Sequence, residues 1–366
     1  MEDNNLYERT NTILAALAQD EGFTARQFAA MRRVPDVSVE EFWTLPGAEL
    51  QQHGVPAVLV AQLLQIRSTA SLERTTETLR RLQVSYISYY DARFPALLRE
   101  LALPPAGLFV RGKLSESRLA VAVVGTRKMT DYGKRVTHDV VEALAAQPVV
   151  VVSGLALGVD AEAHRCAIEC KGMTWAVVGS GVDVPYPALH RRLAEEIIAS
   201  GGAIISEFPL GSRPQRHHFP IRNRIIAGLS VATVVIEAAE RSGSLLTARA
   251  AFEANRDVFA VPGSIYSPYA AGPHRLIQLG AKLIHAPDDV LEELGLLLPE
   301  QSVGAPQADS AEEAAILHVL STDGMPFDDL VEQSGLSSDV CMSTLTLMEM
   351  KGRAKNIGAN TYARLR

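Results

Sequence analysis

The sequence predicts an α/β fold class: a doubly wound, Rossmann-like, mainly parallel sheet, flanked by a small N-terminal helical domain and a C-terminal winged-helix domain. Three observations predict it. Six near-continuous apolar runs, 119–124, 149–152, 175–178, 203–205, 231–236 and 257–261, have the character of strands covered on both faces. Stretches of helical length separate them, the alternation that builds parallel crossovers. Each run ends in a small or glycine-rich loop, and doubly wound sheets hold their ligands beyond the carboxyl ends of the strands.

Residues 1–83 read as helices. Ser38-Val39-Glu40-Glu41 is a capping box ahead of Phe42-Trp43-Thr44-Leu45, Pro46-Gly47 breaks the run, 56–66 is an apolar helix ended by Ser68, and 70–82 is charged on one face. The sheet domain occupies 84–298. Residues 299–310, polar and without periodicity, are a linker. From 311 to 366 come a helix (311–321), a helix opening at Pro326, Gly335, a helix capped by Ser337 or Ser338, and two short strands around Gly358-Ala359-Asn360, a winged-helix pattern.

At 366 residues and 47% hydrophobic content, two or three domains are expected. No apolar run approaches the roughly 18 residues of a membrane span. The N-terminus, Met1-Glu2-Asp3-Asn4-Asn5, is acidic and polar where a secretory signal is basic and then apolar, so a cytoplasmic location is expected. Cys166, Cys170 and Cys341 read as small buried residues: the first pair lies at i, i+4 on a helix, a poor disulfide geometry, and with His164 supplies too few ligands for a metal.

Five strand-end loops converge: Gly125-Thr126-Arg127, Ser153-Gly154-Leu155-Ala156-Leu157-Gly158, Gly179-Ser180-Gly181-Val182-Asp183, Ser206-Glu207 and Ser242-Gly243-Ser244. Glycine lets backbone N–H groups approach an anion, and helix N-termini add donors, so this edge is expected to bind phosphate. It fits no nucleotide fingerprint. The glycines of Gly125 and Gly133-Lys134-Arg135 are eight apart where a P-loop needs five, and Arg135 replaces the magnesium-binding hydroxyl; Gly179-Ser180-Gly181 lacks a third glycine and runs into prolines. A nucleotide-binding Rossmann-like enzyme is therefore the weaker reading, and no cofactor or metal is implied. Asp160 and His164, at i, i+4, lack a nucleophile at a set spacing and suit a helix-capping aspartate and an orienting histidine.

From 208 to 247 the chain gathers arginines, histidines and glycines around the run 231–236. Between 205 and 256 there are seven arginines and four glutamates, in a chain of net charge −7, so the basic character is local, as at a site. Gln215-Arg216-His217-His218-Phe219 mixes cations with rings that stack on unpaired bases; the competing reading tucks Phe219 into the core. Arg222-Asn223-Arg224 opens a helix. Arg127, at a strand end beside backbone donors, is the natural phosphate anchor, unless it pairs with Asp160 or Asp183.

This block, with Tyr89-Tyr90-Asp91-Ala92-Arg93-Phe94-Pro95, Pro104 to Gly112, Gly125-Thr126-Arg127 with Tyr132-Gly133, and Ser153-Gly154-Leu155-Ala156 with Gly158-Val159-Asp160 and His164, resembles the DNA-processing protein A family (DprA, also called Smf) from about Tyr89 to Leu291. The resemblance implies a non-catalytic, cytoplasmic protein that binds single-stranded DNA, protects incoming strands and loads RecA recombinase during natural transformation. It implies an N-terminal domain of the SAM or helix-hairpin-helix kind, for which a structural or protein-contact role is favoured over DNA binding, and a DML1-like C-terminal module. The implied DNA-binding residues are Gly125, Thr126, Arg127, Ser153, Gly154, Gly179, Ser180, Gly181, Ser206, Glu207, Arg216, His218, Phe219, Arg222, Asn223, Arg224, Ser242, Gly243 and Ser244, with one arginine paired internally to Glu207 or Glu237. Phe252, Ile277 and Leu283 match apolar positions through which relatives associate, implying a homodimer; ordinary core packing is the alternative. Where relatives carry a lysine after Tyr-Pro, this chain has Tyr186-Pro187-Ala188, so the contact is either missing or moved to His190, Arg191 or Arg192.

The C-terminal module carries eight acids against five bases, and the helix expected at 340–350 is almost uncharged. A major-groove reader shows Arg or Lys there, so protein contact or regulation is expected over a transcription regulator's role.

Overall fold

The computed structural model describes residues 2–114, 119–296, 308–321, 324–358 and 360–364. The chain forms two compact units, Met1–Leu296 and Leu297–Arg366. Of the expected linker, 299–307 lie outside the described residues, as does Ala359 of the expected strand pair.

The first unit is built on a nine-stranded sheet: β1 (Val84–Ser88), β2 (Gly107–Gly112), β3 (Leu119–Val124), β4 (Val149–Ser153), β5 (Met173–Val177), β6 (Ala203–Ser206), β7 (Ala232–Val235), β8 (Asp257–Ala260) and β9 (Lys282–Leu283), in the order β1-β2-β6-β5-β4-β3-β7-β8-β9. From β6 to β9 all neighbours are parallel, while β1 and β2 add an antiparallel edge. The six apolar runs became β3 to β8. They are apolar throughout because successive side chains enter different layers: Val121 and Val123 pack with Val140, Val141 and Leu144, whereas Ala122 and Val124 pack with Ile225 and Ile226 on the other face.

Strand order reverses between β3 and β7, the point at which such sheets open a crevice. The two strands run in register, Val124 opposite Val235, and their ends stay linked: Thr126 N donates to the Glu237 carbonyl at 2.6 Å. The Glu237 carboxylate accepts from Thr130 N at 3.0 Å and Thr130 Oγ1 at 2.6 Å, and Thr130 Oγ1 in turn caps the helix Asp131–Ala145 by accepting from Gly133 N.

Six helices precede the sheet: Glu2–Leu17, Ala25–Arg32, Val39–Thr44, Gly47–Gln52, Ala57–Thr69 and Leu72–Arg81. The expected capping box forms, with Glu41 N donating to Ser38 Oγ and Ser38 N to Glu41 Oε2. Ser68 does not end its helix, because the Ser68 and Thr69 hydroxyls donate to the carbonyls of Gln65 and Ile66 and stay within the turn; the break comes at Ala70, and Ser71 caps the next helix. Asn11 ties these helices to the sheet by donating to Asp91 Oδ2 at 2.6 Å and accepting from Ser88 N at 3.1 Å. No described helix is long and apolar enough to cross a membrane.

The second unit is a winged helix: helices Ala311–Val319, Phe327–Ser334 and Ser338–Met350 over a three-stranded antiparallel sheet of β10 (Met325–Pro326), β12 (Thr361–Arg364) and β11 (Ala354–Gly358). Ile316, Leu330, Cys341, Leu345 and Met348 form its core. Gly335 ends the second helix in the left-handed region, where glycine is favoured.

Candidate nucleic-acid interface

A cavity of about 690 Å³ opens at the carboxyl ends of β3 and β7. Gly125, Thr126 and Arg127 enter it from β3, Arg216, Phe219, Arg222 and Asn223 from the helix His218–Leu229 and its approach, and Ser242, Gly243 and Ser244 from the turn before the helix Ser244–Glu253. Asn223 Nδ2 donates to the Gly243 carbonyl at 3.1 Å, which fixes that turn against the helix.

The cations here stand without carboxylate partners. Arg127 and Arg216 are exposed, and no carboxylate of a described residue lies within ion-pair reach of either, so the alternative pairing of Arg127 with Asp160 or Asp183 does not form. The Arg127 guanidinium lies 5.5 Å from the Phe219 ring centroid, so the half-buried Phe219 lines the cavity beside a cation and is not tucked into the core.

Arg222 is the unusual member. It is 4% exposed and its Nη1 donates to the carbonyls of Gly154, at 2.7 Å, and Val177. Burial pushes its pKa down to about 10, with Asp160 opposing and Arg127 adding to the shift. It is therefore charged at neutral pH, and no described carboxylate lies within 4.0 Å of it. A buried cation with incomplete compensation favours an incoming anion. Glycine makes the arrangement possible: a Cβ at Gly154 would lie 2.2 Å from Arg222 Nη1, and one at Gly158 would lie 2.2 Å from the Thr126 carbonyl, in a backbone of φ +78°.

Nine of the expected DNA-binding residues are not brought to this cavity. Ser153, Ser180 and Ser206 are buried beneath it, their hydroxyls donating to the carbonyls of Val123, Val184 and Ser180 at 2.7, 2.6 and 2.7 Å. Gly154 and Gly179 turn their carbonyls to Arg222 and His218, and Gly181 N donates to the Ser212 carbonyl. These six form a supporting layer, because their polar groups are consumed in holding the strand ends. Glu207, His218 and Arg224 face the opposite side of the helix His218–Leu229. Arg224 pairs with Glu207 and donates to the Leu103 carbonyl at 2.7 Å, the expected internal arginine pair. His218 is buried against Phe208, ring centroids 4.0 Å apart, and burial lowers its pKa.

Asp160 and His164 do not meet as an acid–base pair. The Asp160 carboxylate accepts from Gly154 N at 3.1 Å and Ala156 N at 3.4 Å, folding back on the loop that it organises. His164 Nδ1 pairs with Thr174 Oγ1 at 2.7 Å, and burial drives its pKa down to about 3, which keeps it neutral. His190 is buried on the Leu155 carbonyl, while Arg191 and Arg192 are exposed and outside the lining of this cavity.

Lys128 and Tyr269 also line the cavity and were missed. Lys128 follows Arg127 directly and could have been read from the same loop. Tyr269 comes from beyond β8, and no sequence signal connects it to this edge.

A family model described as DNA recombination-mediator protein A matches residues 85–295, and one described as DprA winged helix domain matches residues 299–358. Protein Smf of Escherichia coli K12 is 41% identical over 271 residues, covering 72% of each chain. The DNA processing protein DprA of Bacillus subtilis is 41% identical over 235 residues, 63% of this chain and 77% of the relative. Among solved structures, the DNA processing protein A of Streptococcus pneumoniae superposes with a TM-score of 0.68 at 35% identity, covering 77% of this chain and 97% of that one. The Helicobacter pylori protein of the same name, described by its single-stranded DNA binding mode, gives a TM-score of 0.53 at 30% identity, covering 58% and 95%.

Proposed function

The chain belongs to the DNA recombination-mediator protein A family, and from that premise we propose that it is a non-catalytic, cytoplasmic single-stranded DNA-binding protein that protects incoming strands and hands them to RecA recombinase during natural transformation. The observation that carries the binding reading is one cavity lined by three arginines without an ion-paired carboxylate, Arg127, Arg216 and Arg222, and by an aromatic ring, Phe219, whose centroid lies 5.5 Å from the Arg127 guanidinium. Phosphates meet the arginines, and an unpaired base meets the ring, which accepts any base. Gly125, Thr126, Asn223, Ser242, Gly243 and Ser244 supply short polar and backbone groups at the rim.

The reading extends to the assembly. Phe252 and Leu283 are 37% and 48% exposed at the β8–β9 edge, with Ile277 partly buried behind them, and they form the proposed homodimer contact. We assign residues 1–83 to a SAM-like helical domain, 84–298 to the DNA-binding domain, 299–310 to a linker and 311–366 to a DML1-like winged helix.

Titration of labelled single-stranded DNA, duplex of the same sequence and a mononucleotide tests the binding reading. Single strands are expected to bind far better than either of the others, because stacking needs an unpaired base and a mononucleotide offers one phosphate site. Equal affinity for single strand and duplex rejects the cavity as the site.

A further inference from the structure

A smaller cavity, of about 280 Å³, lies beyond the carboxyl ends of β7 and β8, beside the cation-lined one. Tyr269 lines both, so the two adjoin. Its walls are the start of the helix Asp131–Ala145, which contributes Thr130 and Tyr132, and the loop that follows β8, which contributes Pro262, Ser264 and Ser267. Gly133 lets that helix start press on the sheet edge, because a Cβ there would collide with the Glu237 carboxylate. Tyr132 Oη donates to the Pro262 carbonyl at 2.8 Å, which ties the helix to the loop and holds the ring in the wall. The pair Tyr132-Gly133 thus builds one side of a cavity.

The groups that face this cavity are within reach of a ligand. Tyr132 is 41% exposed, Ser264 is exposed, and Ser267 and Tyr269 are half-buried. Ser264 Oγ accepts from Tyr266 N and Ser267 Oγ from Tyr269 N, both at 3.3 Å, and neither hydroxyl donates to a described residue, so each has its proton to give. The same loop turns Ile265 and Tyr266 outward, 80% and 91% exposed, between the two serines. Glu237 is also in the wall, and its carboxylate disfavours a phosphate inside. At this volume, below the roughly 300–1,000 Å³ of sites for drug-sized ligands, there is room for one ring system. A neutral flat ring with carbonyl acceptors suits such a place: it meets a tyrosine ring on its face and two hydroxyl donors on its edge.

We propose that this cavity is a base-recognition subsite: it receives one unpaired base bearing carbonyl acceptors, thymine above adenine, from a strand that passes Tyr269 with its phosphates in the cation-lined cavity. The proposal rests on the single-stranded DNA reading and deepens it, because a stack on Phe219 accepts any base whereas two hydroxyl donors do not. Tyr132 supplies the ring, and Ser264 and Ser267 supply the donors. A free nucleoside presents the same face and carbonyls.

The test uses the full chain and the shortest thymidine oligonucleotide that binds with full affinity, so that the strand has no room to change register. Each position is made abasic in turn, and affinity is titrated with wild type, with Tyr132→Ala, with Phe219→Ala and with the double variant Ser264→Ala, Ser267→Ala. In wild type, one position is expected to lose about tenfold, the worth of a stacked base, in a loss that Tyr132→Ala cancels and Phe219→Ala does not. Adenine at that position is expected to bind about threefold more weakly than thymine, and the serine double variant to erase the difference while leaving the slope of log K against log salt unchanged. Abasic losses that Tyr132→Ala leaves intact at every position, or reduces equally at all of them, overturn the proposal, since the ring then does no more than hold the loop. Should Tyr132→Ala fail to fold, the serine double variant decides, and a thymine preference that survives it overturns the proposal. If wild type binds no oligonucleotide, the failure belongs to the single-stranded DNA reading, and saturation transfer to thymidine judges the cavity by itself: transfer that the serine double variant removes supports a nucleoside site, and no transfer overturns it.

Discussion

The cavity at the carboxyl ends of β3 and β7 and the winged-helix unit both contain arginine and lysine, and of the two, among the described residues, only the winged helix sets cations, Lys351 and Arg353, against carboxylates. In the cavity, Arg127, Arg216 and Arg222 have no carboxylate within ion-pair reach among the described residues. In the winged helix, Lys351 and Arg353 both pair with Asp309 and Glu313, and Glu313 is 2% exposed. The winged-helix segment Ser338–Met350 carries no lysine or arginine and exposes Leu347 and Met350 by 55% and 82%. On the proposed function, the difference teaches that a phosphate site is marked by unpaired cations gathered in one cavity beside a ring, since Lys355 and Arg364 of the winged helix also lack an ion pair among the described residues but share no such cavity. A chain of net charge −7 can hold such a site because its acids are spent elsewhere.

Four experiments sharpen or break that contrast. The largest effect is expected from Arg127→Ala with Arg216→Ala: single-strand affinity should fall at least about a hundredfold, from two charge-assisted contacts at roughly 1.5 kcal/mol or more each, and the slope of log K against log salt should flatten by roughly 0.7 per contact. Undiminished binding by the double variant places the site elsewhere. Next, Phe219→Ala should cost about 1–3 kcal/mol and leave the salt slope nearly unchanged, because a stack releases no counterions. Titrations at three salt concentrations separate the two behaviours, and a slope that falls with the ring would mean that Phe219 acts only by holding Arg127.

A smaller effect, informative by its sign, is expected at Glu21. Its carboxylate accepts from Ser212 Oγ at 3.0 Å and Gln215 Nε2 at 3.5 Å, just ahead of Arg216. Removing a negative charge near a polyanion site should tighten binding if only Coulomb forces act, whereas loss of a brace should loosen it. We expect Glu21→Ala to weaken single-strand binding about threefold, within the worth of one hydrogen bond; tighter binding would show that the brace does not matter. The smallest effect belongs to the winged helix. Leu347→Glu with Met350→Glu should change single-strand affinity by less than about twofold, and a large loss would mean that this helix faces phosphates after all.

Much of the fold was legible because burial on both faces makes parallel strands continuous apolar runs, and β3 to β8 were found that way. The strands β1, β2 and β9 were not, since the first two form an antiparallel edge and the last has only two residues, too few to show a period. The loops of the site were legible from glycine and arginine, whose roles follow from backbone reach and charge. Which way a small polar residue turns was not: Ser153 and Ser244 look alike in sequence, yet one is committed to the Val123 carbonyl and the other lines the cavity. The side of a helix is equally hidden when both sides hold clefts, which is why His218 and Arg224 were grouped with Phe219.

The buried Arg222 has a consequence for how this protein behaves in a buffer. On the proposed function, a charge held in the interior without an ion-paired carboxylate carries a cost that an anion in the cavity would offset. Sulfate or inorganic phosphate is then expected to raise the melting temperature and at the same time to compete with a strand. A preparation that looks most robust in phosphate would be the one whose interface is already filled.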